Sequence, residues 1–598
     1  MTNCPGSDYL PIENYGIVGD LRTVALVGLD ASIDFMSLPQ LDAPTVFAGL
    51  LDRERGGCFR IDPTFESRSR QMYLPGTNVL LTRFLSPSGV AEVSDFMPIS
   101  EPSVPSALVR RLKCVHGNLE FRVRCAPRFD YARAEHSIEL IDGGVVFHAD
   151  GADGPSLVLR SSVPLEIEDG AAVAIVRLGP KENCSFVLQD ASAGLHAETA
   201  EPGYVSSSFK KTVNYWYDWS RKTTYTGRWQ EMVNRSALVL KLLTSRDHGS
   251  IAAAPTFGLP EQIGGPRNWD YRYAWIRDSS FTVDAFLRLG YTQEATDFMG
   301  WIQRRCEELG PDGSLQIMYG LDGRHELAEQ ELDHLEGYRG SSPVRIGNAA
   351  YKHLQLDIYG EFMGAVFLND EHGEPIHHDL WNNLVNMVNW VCENWDQPDE
   401  GIWEVRGGRK SFLFSRLMCW VAVDRGVRLA MKRSRPAPVA QWLVVRDKIY
   451  ADIFDNFWNE DRKAFVQSRE SAAMDAAALL MPLVEFISPK DPRWLSTMRA
   501  IEEELVEDSL VFRYRTDDGI VGGEGTFSIC SFWYVECLAR SGDLDKARFL
   551  FEKMLSYANH LGLYSEELGP SGEHLGNYPQ AFTHLALISA AHCLDQAL

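Results

Sequence analysis

The sequence predicts two structural units in series, an N-terminal antiparallel β-sandwich and a C-terminal toroid of paired α-helices. Three observations carry this expectation. The chain has 598 residues, about four times a ~150-residue domain, which argues against a single compact core. Its hydrophobic period is that of strands up to about residue 205 and that of helices thereafter. Apolar residues make up 45% and charged residues 23%, a globular balance that argues against a disordered chain.

From about 12 to 205, short β-branched and alternating runs are broken by turn dipeptides. Phe121-Arg122-Val123-Arg124-Cys125 alternates strictly, as a half-buried strand does. Ser88-Gly89, Gly143-Gly144 and Asp169-Gly170 supply turns beside apolar runs such as 145–147 and 173–176. This spacing favours a sandwich over βαβ units, and the unit is placed at 1–205. Residues 206–225, with Tyr215, Trp216, Tyr217 and Trp219, read as a helical linker. Over 226–598 apolar residues recur at i, i+3, i+4 and i+7 in about twelve stretches. These lie near 226–245, 279–290, 292–308, 345–368, 374–395, 411–432, 438–459, 470–488, 492–506, 526–541, 544–560 and 578–595. Asp278 and Asp543 are placed as helix caps, and Gly290 where a left-handed terminus falls. Long helices without strands between them pack on one another, and twelve allow a double ring of six hairpins with one funnel-shaped end.

Charge narrows the partners. Lys+Arg 58 against Asp+Glu 82 leaves a net −24, a field that repels phosphate backbones and anionic lipid. No nucleic-acid or membrane partner is expected, and a neutral small molecule held by hydrogen bonds and aromatic faces fits. No apolar run reaches the ~18 residues of a membrane span, and the first residues lack a basic segment ahead of an apolar one. The 11 cysteines are odd in number and scattered, with no CxxC or CxxH pair for zinc. Cys419 and Cys530, in apolar helical runs, read as small hydrophobes. A reducing, cytoplasmic compartment is expected.

The chemistry is expected in the long connections. Segments 246–278, 309–344, 396–410, 507–525 and 561–577 exceed the ~2–8 residues usual between helices, as loops built to present a site do. Residues 264–278, GGPRNWDYRYAWIRD, hold two Trp, two Tyr, three Arg and two Asp. Such a loop is either cemented to the helix ends by stacking and ion pairs, or it is a sugar platform. In the second reading, rings cover pyranose C–H faces while Arg and Asp bond hydroxyls. In GIWEVRGG (401–408), Glu404 either pairs with Arg406 or Arg409 at the surface or lies against aromatic surface as a proton donor. In LYSEEL (563–568), Glu566 and Glu567 are either solvated or supply the second of the two carboxyls that glycosidic hydrolysis takes. Glu524, in the acidic loop 517–525, is a reserve candidate. Residues 334–348 lack the GxxxxGK[ST] order of a phosphate loop, and the histidines form no HExxH. Neither a metal nor a cofactor is expected.

Taken in order, these segments resemble glycoside hydrolase family 15, which contains glucoamylases, glucodextranases and certain trehalases. The resemblance runs end to end. IENYGIVGD (12–20) with Ser32-Ile33-Asp34 opens it, and GGPRNWDYRYAWIRD, GYRGSSPVRIGNAA, GIWEVRG, GGEGTF and YSEELGPSGEHLGNYPQAFTHL follow. It implies a β-sandwich and an (α/α)6 barrel. It implies inversion at the anomeric carbon by a general acid at Glu404 and a general base at Glu566. Glu567 stands where the family often has Gln. The Arg277-Asp278 pair is implied to grip the non-reducing glucose, with Trp269, Trp403, Tyr338 and Arg345 lining its subsite. Ala274 and Ile276 stand where Cys and Leu are frequent, and the barrel is expected to finish the chain with no starch-binding domain. The activity expected is a glucoamylase-like exo-α-glucosidase releasing β-glucose from short α-linked gluco-oligosaccharides, with a trehalase as the alternative.

Overall fold

The computed structural model describes residues 9–598 apart from 152–153, 193, 195, 197–198, 200, 202, 309–313 and 373–375. The expectation of no leader at the extreme N-terminus thus falls largely outside the described residues. Among the described residues, sixteen strands between Tyr15 and Asp190 form two eight-stranded sheets. All their pairings are antiparallel. The alternating segment becomes the strand Leu119–Ala126, in which Phe121, Val123 and Cys125 are buried while Arg122 is exposed. It pairs Phe121 with Val176 on one side and with Pro63 on the other.

Thirteen α-helices follow among the described residues: α1 Tyr204–Ser220, α2 Gln230–Leu243, α3 Ile276–Arg288, α4 Thr292–Glu307, α5 Asp357–His372, α6 His378–Asn394, α7 Leu413–Arg433, α8 Val439–Asn456, α9 Leu480–Leu483, α10 Pro492–Leu505, α11 Ser528–Ser541, α12 Leu544–Ser556 and α13 Ala581–Ala597. The inner ring runs α3, α5, α7, α9 with the 3-10 turn Ala476–Leu479, α11, α13 and back to α3. Outside it, α4 packs on α3, α6 and α8 on α7, α12 on α11, and α2 on α13. Burial sorts the two rings. Twelve of the fourteen residues of α11 are buried, as in a helix enclosed on every side. In α4 the buried residues, among them Ala295, Phe298, Trp301, Ile302 and Arg305, form one stripe. Where α5 crosses α7, a Cβ on Gly360 would lie 2.2 Å from the Met418 carbonyl oxygen, so only glycine permits that approach.

Two expected helices are shorter than their period suggests. The stretch 345–368 becomes helical only at Asp357, because the Asn348 side chain accepts a bond from Ala350 N–H and starts a 3-10 turn instead. The stretch 470–488 shrinks to the 3-10 turn and α9. Asp475 accepts from Ala477 N–H at its start, and Pro482 removes a backbone donor within it. Asp543 does cap α12 through Lys546 N–H, and Gly290 has φ 85°. Asp278 is not a cap. It lies in the first turn of α3 with its side chain turned to Arg277. Among the cysteines, nine are free thiols, whereas Cys58, buried at the start of a strand, is disulfide-bonded. Cys4 is outside the described residues. No described helix is long and apolar enough to cross a membrane.

The units share one apolar core and a polar seam. Trp219 of α1 stacks on Tyr291 at 4.1 Å and donates to Glu294, which also pairs with Lys241. Arg272 is wholly buried at the seam, paired with Asp270 at 2.8 Å and donating to the Ala43 carbonyl in the sandwich at 2.7 Å. Removing one partner of a buried pair leaves the other charge uncompensated, at a cost of about 3–5 kcal/mol. Arg272→Ala is therefore expected to lower the melting temperature by several degrees in calorimetry. An unchanged melting temperature would remove Arg272 from the seam's stabilising contacts.

Candidate active site

At the N-terminal ends of the inner helices two small cavities meet. The deeper is lined by Tyr271, Trp275, Arg277, Asp278, Ile402, Trp403, Glu404, Arg513, Phe527, Glu566, Gln580 and Phe582, with Ala253. The outer one is lined by Glu261, Trp269, Asn348, Ala350, Arg406 and Ile520, and shares Tyr271, Trp403, Glu404 and Arg513 with the first. Glu404 thus stands on the boundary between two compartments, and Glu566 opens only into the deeper.

The loop before α7 sets Glu404. Gly401, at φ 68°, and Glu404, at φ 58°, bend the chain into a tight turn, closed by Glu404 N–H on the Gly401 carbonyl. A left-handed non-glycine residue is a strained one, at about 1–2 kcal/mol, and strain of this kind gathers at functional sites. The Trp275 indole N–H donates to Glu404 Oε1 at 2.8 Å, and Arg277 lies 3.9 Å from the same oxygen. An N–H only donates, so a proton carried by this carboxyl sits on Oε2. Trp403 is pinned by its N–H on Asp475 at 2.9 Å.

Glu566 precedes the short strand Glu567–Leu568 and is buried. Its Oε2 accepts from Asn577 N–H at 3.1 Å, while Oε1 has no hydrogen-bond partner among the described residues. The carboxyl is pushed up to about 8, first by burial and then by the charge of Glu261. Asn577 N–H and Arg513 pull it back only in part. The sandwich braces this loop: Tyr578 OH and Asn559 donate to the Tyr15 carbonyl at 2.6 and 3.0 Å.

The remaining expected residues divide. Arg277 donates through Nε to Asp278 and through Nη1 to the Ile402 carbonyl, both at 2.8 Å, which fixes the pair in the deeper cavity. Trp269 lies in the outer cavity, with the guanidinium groups of Arg345 and Arg406 over its ring at 4.9 and 4.4 Å. Arg345 itself lines neither cavity; it bonds the Pro266 carbonyl and pairs with Glu331. Tyr338 lies elsewhere, bonding the Leu10 carbonyl and packing on Tyr9. Glu567 turns away from the cavity to accept from Gly525 N–H, within a cluster with Glu261 and Glu524. Arg513 and Arg267 sit in that cluster, and Glu524, the reserve candidate, is held there rather than in a cavity wall.

The model of the glycosyl hydrolases family 15 matches residues 227–592. The chain belongs to that family. A second model, trehalase-like N-terminal, matches residues 3–204. The trehalase of Mycolicibacterium smegmatis is 39% identical over 97% of this chain and 90% of its own length. That of Thermoplasma volcanium is 36% identical over 99% and 94%. In fold the chain resembles a bacterial glucoamylase crystallised with acarbose, with a TM-score of 0.76 at 11% identity over 99% of this chain and 96% of that one. The resemblance noted from the motifs is thereby established, as is the sandwich-plus-barrel architecture.

For a family 15 hydrolase, the side chains that the motifs did not single out are informative. Tyr271 lines both cavities, and its hydroxyl is held protonated by burial and by the charges of Glu566 and Glu404. Arg513 is buried against Glu261 at 3.2 Å and against Glu524. Tyr271 was visible as one ring of the aromatic loop. Arg513 had no local signal, since its place is made by carboxylates from three separate loops.

Proposed function

We propose that this chain is a trehalase that hydrolyses α,α-trehalose to two glucoses with inversion at one anomeric carbon. The observation that carries the reading is end-to-end similarity, at 36–39% identity, to relatives named trehalase. The paired compartments agree with it. A disaccharide places one ring in each, and its bridging oxygen lies beside Glu404. The glucoamylase-like reading rests on a fold likeness at 11% identity, which carries the fold and no substrate.

In this mechanism Arg277 and Asp278 hold the ring of the deeper compartment. Glu404 passes the proton of Oε2 to the bridging oxygen as the C1–O bond breaks. Glu566, ionised, accepts through Oε1 a proton from the water whose oxygen bonds to C1 from the opposite face. Such a base stands ~6.5–9.5 Å from the acid so that the water fits between. Tyr271, which lines both compartments, orients that water through its hydroxyl.

The test is incubation with trehalose, maltose, isomaltose and soluble starch, with released glucose followed by proton NMR before mutarotation. Trehalose is expected to be the preferred substrate and to give α- and β-glucose in equal amounts, since only the attacked ring inverts. Release of α-glucose alone would overturn inversion. Turnover of maltose or starch without turnover of trehalose would overturn the substrate.

A further inference from the structure

A further cavity of about 260 Å³ lies down the barrel axis, with a wall drawn from α3, α5, α7, α9, α11 and α13. Phe582 divides it from the catalytic compartment. Its ring lines the latter and meets Phe281 and Trp533 of the former at 5.7 and 6.2 Å. Exposure grades along the cavity. Glu371 and Glu485 at its mouth are 39% and 59% exposed, whereas Glu361 is 4% exposed.

The charges along this wall are matched except at Glu361. Arg288 is bonded to Asp284 at 2.9 Å, Arg540 to Glu536 at 2.7 Å, and Arg425 to Asp424 at 2.7 Å. Glu361 takes part in no ion pair among the described residues, and its buried Oε1 has no hydrogen-bond partner there. Burial and the neighbouring Asp357 push its carboxyl well up, and Arg277, the cation that opposes this, is already committed to Asp278 and the Ile402 carbonyl. Buried polar atoms nearly always find partners. Glu361 shares the cavity wall with Phe281, Phe367 and Trp533, and ring faces attract cations and shelter alkyl groups. An anion finds every guanidinium of the wall already paired.

We propose that this cavity is a binding site for a small alkylammonium ion, its ammonium paired with Glu361 and its chain lying along the three rings. The test is calorimetric titration with n-butylammonium chloride, with n-butanol and butyrate as controls of like shape. Two variants probe the site. Glu361→Gln keeps the shape and removes the charge. Gly364→Leu fills the cavity, since a Cβ there meets nothing within 4 Å. Saturable binding of butylammonium is expected, weaker by at least about tenfold for both controls and in Glu361→Gln, lost in Gly364→Leu, and retained in Glu404→Gln. Absence of binding at tens of millimolar, equal affinity for butanol, or binding unchanged in Glu361→Gln would overturn the proposal. Loss of binding in Glu404→Gln would instead assign it to the catalytic compartment and also overturn it. Should Gly364→Leu fail to fold, Glu361→Gln decides alone.

Discussion

Glu404→Gln is expected to lower trehalose turnover by about 10²–10⁴-fold, the usual contribution of a positioned general acid, with no change in melting temperature. The variant is structurally conservative, because the amide oxygen accepts from the Trp275 indole as Oε1 does at 2.8 Å. What it lacks is a proton to give to the departing oxygen. The decisive comparison uses α-glucosyl fluoride, whose leaving group departs without protonation. Glu404→Gln should hydrolyse the fluoride at close to the parent rate while failing on trehalose. Normal turnover of trehalose would reject Glu404 as the acid. Equal loss on both substrates would make it a positioning group rather than the proton donor.

The sandwich and the helical rings were legible because each leaves a period in the chain. The register of Leu119–Ala126 follows from its alternation, and the enclosed helices follow from apolar residues on every face. The period failed where a side chain competes with the helix for its own backbone, as at Asn348 and Asp475, or where Pro482 breaks the ladder. At the site, motif membership located the loops but not the direction of every side chain. Glu566 and Glu567 are adjacent, and successive residues of an extended chain face opposite ways, so one enters the cavity and the other bonds Gly525 N–H. Tyr338 and Arg345 share a motif with Asn348, yet only Asn348 reaches a cavity wall. Arg513 depends on Glu261, Glu524 and Glu567 coming together from three loops, a tertiary event with no trace in local sequence.

Glu566→Gln is expected to abolish turnover of trehalose and of α-glucosyl fluoride alike, since both need an activated water. This separates its role from that of Glu404 in a single pair of assays. Survival of fluoride turnover would show that another group activates the water. Its environment adds a test with a definite sign. The Glu566 carboxyl is pushed up to about 8 by burial and by Glu261, and a base acts when ionised. For free enzyme, kcat/KM should therefore rise with pH through this pKa, which makes Glu566 the source of the acid limb of the profile. Glu261→Gln removes a like charge and leaves Arg513, now with one carboxylate fewer to satisfy, freer to stabilise ionised Glu566. Both changes favour the ionised form. The acid limb should then move to lower pH in Glu261→Gln, while the amide still accepts the Trp269 N–H that Glu261 holds at 3.1 Å. A limb that stays in place or moves to higher pH would show that Glu566 does not set it.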